Sequence, residues 1–104
     1  MPFTEDKTAL TGGSTTSVTP AVLNVAYRVK FARSIGAVTI QAQGNPIRVS
    51  RTGVAGVALT DYIQILASAE VRIDMDNPAS TSVAPVLFVE SNNAGAKAAM
   101  DLRR

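Results

Sequence analysis

The sequence predicts an all-β protein: a small β-sandwich, jelly roll or barrel of about seven or eight short antiparallel strands, with an extended N-terminal arm. Three observations carry that expectation. From Ala26 onward, apolar and polar residues alternate with a period of two, the repeat of a strand that buries one face. Clusters of Gly, Asn, Pro and Ser interrupt the alternation about every ten residues, where turns are expected. No stretch sustains the 3.6-residue period of a long amphipathic helix.

The first 20 residues read differently. Thr8, Thr11, Gly12, Gly13, Ser14, Thr15, Thr16, Ser17, Thr19 and Pro20 form an uncharged polar segment with little to bury. Residues 1–20 are therefore expected to be a flexible arm, and residues 21–104 a single β domain. Pro2, Phe3 and Leu10 are the arm's apolar residues, and Phe3 and Leu10 are its expected anchors.

In the domain, Tyr27, Val29 and Phe31 share one side of a first strand, with Arg28 and Lys30 on the other. Ser34-Ile35-Gly36 supplies a turn. Val38, Ile40 and Ala42 then face inward opposite Thr39, Gln41 and Gln43; Gly44-Asn45-Pro46 breaks the run, and Ile47 and Val49 resume it. The stretch 38–51 thus predicts a β-hairpin, because Gly and Asn tolerate positive φ and Pro can open a strand. Val54 to Leu59 reads as a small-residue strand bent at Gly53 and Gly56.

Residues 62–69 are ambiguous: Thr60 fits a helix cap, whereas Ile63 and Ile65 alternate as in a strand, and the β-branched content favours strand. Val71, Ile73 and Met75 alternate with Arg72, Asp74 and Asp76 as a half-exposed strand, closed by Asn77-Pro78. After the polar loop 79–85, Val86 to Val89 is a continuous apolar run, suited to a strand covered on both faces. Asn92-Asn93-Ala94-Gly95 is a turn. The tail "AKAAMDLRR" also suits an Ala-rich helix, but Ala98, Met100 and Leu102 alternate with Lys97, Ala99, Asp101 and Arg103, which favours a closing hairpin strand.

Composition bounds the chemistry. A chain of 104 residues fits one domain that buries roughly two-thirds of its unfolded surface. Apolar residues make up 46% of the chain and charged residues 17%, which excludes wholesale disorder and leaves neutral surface available for contact. With no His and no Cys, the commonest general base, the commonest transition-metal ligand and the thiolate are all missing. Asp74 and Asp76 share a face with Arg72, an ion-pair stripe rather than two carboxylates in opposed environments. The stretch "DMDNPAS" has clustered oxygens but carries Pro78 where a calcium loop needs its next ligand. "TGGSTTS" lacks the lysine of a phosphate loop. No catalytic, metal or cofactor site is expected, and the chain is read as non-enzymatic.

The net charge of +2 is too small to specify a nucleic-acid partner. Arg28, Lys30, Arg48 and Arg51 nevertheless suit the outer faces of neighbouring strands, as in a single-strand-binding groove. Against that alternative, Tyr27 and Phe31 fall on the opposite face from Arg28 and Lys30, so no aromatic is available for stacking. A carbohydrate-binding tail-fibre module is a third reading, weakened by five aromatics (two Tyr, three Phe, no Trp). Glu5 and Asp6 near the start argue against a secretory signal, and no apolar run reaches the roughly 20 residues of a membrane span.

The segment "TGGSTTSVTP" ahead of "VAYRVKFA", with neutral stretches such as "VAGVALT", resembles the small structural proteins of tailed bacteriophage particles, the capsid decoration or cement proteins in particular. The resemblance implies a virion component, assembled in the host cytoplasm, that forms a homo-oligomer, a trimer by preference. It implies contact with the major capsid protein or other virion subunits through the N-terminal arm.

Overall fold

A computed structural model of the chain describes residues 3–20, 22–32, 34–75, 85–93 and 95–103. Among them are nine strands: β1 (Thr4–Lys7), β2 (Thr15–Val18), β3 (Tyr27–Phe31), β4 (Ala37–Gln43), β5 (Ile47–Ser50), β6 (Ile63–Ile65), β7 (Glu70–Asp74), β8 (Val86–Glu90) and β9 (Lys97–Arg103). The described residues contain no helix. The strands form two sheets, in the orders β1-β3-β8-β5-β6 and β2-β9-β4-β7. The protein is all-β, as the alternation predicts, and of the expected architectures it takes the two-sheet sandwich.

Side-chain parity builds the core. Val29 and Phe31 on β3, Ile47 and Val49 on β5, Ile65 on β6, and Leu87 and Val89 on β8 turn inward from the first sheet. Val18 on β2, Val38, Ile40 and Ala42 on β4, Ile73 on β7, and Ala98, Met100 and Leu102 on β9 meet them from the second. One cluster contains both sets, so the main core is shared between the two sheets. β8 is covered on both faces as its continuous apolar run predicts: Leu87 and Val89 enter the main core, and Phe88 packs outside it with Ala26 and Leu59.

Strand partners depart from the expectation. β4 and β5 lie in different sheets, so the predicted hairpin over 38–51 is instead a crossing from one sheet to the other. Its inward residues are those expected, but two strands with inward apolar faces can meet across a core as well as edge to edge. Gly44 makes the crossing at φ 86°. A Cβ there would stand 3.1 Å from the carbonyl oxygen of Gly95, in the crossing from β8 to β9, so the two crossings pack closely at one end. The closing strand β9 likewise pairs with β2 and β4, not with β8. Among the described strands, seven of the eight sequential connections change sheet, and only β5 and β6 are neighbours in both sequence and space.

The expected flexible arm is built into the sandwich. β1 runs parallel to β3, with Thr4 opposite Arg28 and Lys7 opposite Phe31, an exception to the predicted antiparallel pattern. It is possible because the chain visits the other sheet as β2 before returning as β3. β2 pairs antiparallel with β9, and Val18 is buried in the core. Threonine is a good strand residue when a neighbouring edge is open to it, and here two edges are. Phe3 sets its ring edge-on to Tyr27, with centroids 5.4 Å apart, and Leu10 packs against the main core. Both expected anchors thus dock on their own domain.

Two smaller expectations also change. Residues 54–59 form no strand: this segment arches over the first sheet, where Gly56 N–H donates to the Ala26 carbonyl at 2.9 Å and Ala26 N–H to the Val57 carbonyl at 3.0 Å. β6 covers only 63–65 of the expected 62–69, because a turn follows in which Ala69 N–H reaches the Leu66 carbonyl and Ser68 takes φ 69°. Asp76, Asn77, Pro78, the loop through Ala84, Ala94 and Arg104 lie outside the described residues.

Since β1 and β2 cover the edges of β3 and β9, deleting residues 2–19 uncovers two strand edges and removes Val18. The expected result is loss of cooperative thermal unfolding, or a midpoint many degrees lower by circular dichroism. An unchanged midpoint would mean that the segment adds nothing to the fold.

Candidate interaction surfaces

The outer face of the first sheet carries a buried charge. Glu90 ends β8 with its side chain directed away from the main core, yet it is fully buried. The segment 51–62, joining β5 to β6, lies across it as a strap. Glu90 Oε1 accepts from the Leu59 backbone N–H at 2.8 Å, and Oε2 accepts from an Arg48 terminal nitrogen at 3.0 Å. The Arg48 guanidinium is covered in turn by the Tyr62 ring, 4.9 Å from its centroid. Leu59 packs on Phe88 and Ala26. Gly53 lets the strap come close: a Cβ there would fall 2.9 Å from a Leu59 methyl carbon and 3.3 Å from the Phe88 ring.

A carboxylate without partners in that position would cost several kcal/mol. Its two acceptor bonds therefore make the strap part of the folded structure. Arg48 Nε is buried and makes no hydrogen bond, so the fork engages Glu90 through one arm.

This arrangement decides where the four candidate cations go. Arg28, Lys30 and Arg48 do emerge on one outer face, as expected: in the registry Arg28 stands opposite Phe88, Lys30 opposite Val86, and Arg48 opposite Glu90. Phe88 is an aromatic on that same face, which parity along β8 could have indicated, but Leu59 and the strap cover it. Arg48 is committed to Glu90. Arg51 lies beyond the end of β5 and lines a cleft with Val49, Tyr62 and Ile73. Lys30 stands opposite Asp6 on β1. Asp6 itself accepts from the Thr8 hydroxyl at 2.6 Å and the Thr8 N–H at 2.9 Å. Those two bonds hold its pKa below the ordinary carboxylate value, and the Lys30 charge adds to the shift.

The outer face of the second sheet is polar. Thr15, Asp101, Thr39 and Arg72 form one row across β2, β9, β4 and β7, and Ser17, Ala99, Gln41 and Glu70 form the next. Exposed ion pairs join Arg72 to Asp74 at 3.2 Å and Arg103 to Asp101 at 2.8 Å. The first confirms the ion pairing expected on that strand.

Among the described residues, one side of the sandwich is open. β6 and β7 are the last strands of their respective sheets, and between them lies a cleft of about 260 Å³ lined by Val49, Ile63, Tyr62 and Ile73, with Arg51 and Asp61 among its walls. Ile63 points inward like Ile65, but Ile65 is buried whereas Ile63 remains 54% exposed. Tyr62 and Leu66 flank β6 and are also exposed. The opposite edges present Thr4 to Lys7 and Thr15 to Val18, charged or hydroxyl-bearing apart from Val18. A single short strand with apolar flanks is hard to distinguish in sequence from a core strand, which is why Ile63 and Leu66 did not stand out there.

Comparison with protein-family models, with curated proteins and with solved structures found no match in any of the three.

Replacing Glu90 with Ala removes the acceptor for both Arg48 and the Leu59 N–H. The variant is expected to lose about 3 kcal/mol of stability, read as a lower urea midpoint with an unchanged slope. A loss below about 0.5 kcal/mol, the scale of an ordinary surface substitution, would contradict the role given to this contact.

Proposed function

We propose that this protein is a non-enzymatic structural subunit that joins copies of itself in a larger assembly, with a phage particle bearing capsid decoration proteins as the assembly its sequence resembles. The observation that carries the reading is the open side: Ile63 half-exposed beside an apolar cleft, with Tyr62 and Leu66 exposed at the same strand. Apolar side chains at an unpaired edge favour association, since covering them recovers about 25 cal/mol per Å² and an edge strand offers unpaired backbone groups. Repeated copies then multiply individually weak contacts. The resemblance supplies the capsid as the setting; the cleft and edge support assembly as the mode of action.

Light scattering of the purified chain tests the reading. The expected result is a defined mass above that of one chain, shifted toward the monomer by Ile63→Asp, with the dissociation constant rising by about tenfold or more. Because Ile63 is half-exposed, the variant should keep its thermal midpoint. A wild-type chain that stays monomeric to millimolar concentration would overturn the reading.

A further inference from the structure

We propose that β7 pairs antiparallel with β7 of a second copy about a twofold axis through Val71, joining two four-stranded sheets into one continuous sheet. This inference rests on the assembly reading above and names its contact. Backbone polarity allows it. Met75 N–H donates to the Gly36 carbonyl, and Ala42 N–H to the Ala69 carbonyl. Both pairs fit the β4–β7 register, in which Val38 faces Ile73 and Ile40 faces Val71. Hydrogen-bonded pairs alternate along an antiparallel ladder, so Val71 and Ile73 bond toward β4. The N–H and C=O groups of Glu70, Arg72 and Asp74 therefore point away from β4, toward an edge that no other described strand covers.

The charges on that edge select the partner and the register. Edge strands are protected when their charges repel an incoming copy, but here the signs alternate: Glu70, Arg72 and Asp74, all exposed. Pairing centred on Arg72 would oppose two arginines. A two-residue offset centred on Val71 sets Arg72 opposite the partner's Glu70 and, by symmetry, Glu70 opposite the partner's Arg72, while Asp74 falls beyond the start of the partner's strand. The offset in the other sense, centred on Ile73, would set Arg72 opposite the partner's Asp74, a carboxylate that Arg72 already holds within its own chain at 3.2 Å. The Val71 register instead gives a cation to Glu70, which has no ion pair among the described residues, and its two charge pairs fall at hydrogen-bonded positions. On the inner face it sets Val71, half-buried in one copy, against the partner's Val71. It also brings the side of the sandwich bearing Ile63, Ile73 and the cleft up to the partner. Self-pairing of one edge is isologous and yields even-numbered assemblies.

Sedimentation at low and high salt tests this with a charge swap. Wild type should form an even-numbered oligomer that weakens as salt rises. Arg72→Glu should weaken association roughly tenfold to a hundredfold, since two attractive pairs become repulsive. The double variant Glu70→Arg with Arg72→Glu restores opposite charges in the same register and should recover most of the loss, all variants keeping the wild-type thermal midpoint. In hydrogen exchange, the amides of Glu70 and Arg72 should gain protection as protein concentration rises. An odd-numbered oligomer, or one indifferent to Arg72→Glu, overturns the pairing and leaves the assembly reading standing. Failure of the double variant to recover overturns the register. A monomeric wild type overturns both the pairing and the assembly reading.

Discussion

The structure depends on one main apolar layer shared between its two sheets, beside which only a small cluster of Ala26, Leu59 and Phe88 is buried outside the first sheet among the described residues. Each inward Val, Ile, Leu or Phe contributes about 1.5–3 kcal/mol by leaving water, and it does so only when the facing sheet is in place. The connectivity ties the sheets together further. Because the chain changes sheet at nearly every connection, almost every strand finds its hydrogen-bonding neighbours far away in sequence. β3 needs β8, β9 needs both β2 and β4, and β5 needs β8. Pairings of this kind incur loop-closure entropy before they return any contact energy, which favours a fold that forms as one unit.

This arrangement explains what was legible in the sequence and what was not. A period of two reports which side chains face inward, and it did so correctly for Val29, Phe31, Val38, Ile40, Ile47, Val49, Ile73, Ala98, Met100 and Leu102. It carries no information about which strand lies alongside, so Gly44-Asn45-Pro46 read as a hairpin turn although it carries the chain across the core. The Ser/Thr segment before Pro20 read as an arm because its composition offers little to bury. What orders it is the pair of open edges on β3 and β9, a property of distant residues. Val54 to Leu59 looked like a strand because its residues are small and apolar; backbone bonds to Ala26 and the demands of Glu90 make it a strap.

The two outer faces show how the same backbone serves different ends. On the first sheet, Glu90 and Arg48 form a buried pair under Tyr62 and Leu59, with Phe88 covered beside them. The four cations that seemed available in sequence are therefore divided: Arg48 is held by a carboxylate, Lys30 stands near Asp6, Arg51 lines the cleft, and Arg28 stands opposite the covered Phe88. Parity along β8 could have placed Glu90 and Phe88 outward, but only the strap reveals that outward there means buried. On the second sheet the face is flat and polar, and its free edge alternates in sign. The open side between β6 and β7 combines an apolar cleft with that charged edge, the combination of burial and complementary charge that gives a contact both affinity and register.

Native-state hydrogen exchange gives the most direct test that the sandwich is one cooperative unit including its first strands. Leu102 N–H donates to the Ser14 carbonyl at 2.9 Å, so by alternation the amides of Thr16 and Val18 also face β9. If the account is right, these two amides exchange only through global unfolding, with the same opening free energy as Ile40 and Ala99 on the two central strands of the second sheet, whose amides face β7 and β4. Exchange at Thr16 and Val18 orders of magnitude faster than at Ile40 would contradict it, leaving a core that stands without its N-terminal strands.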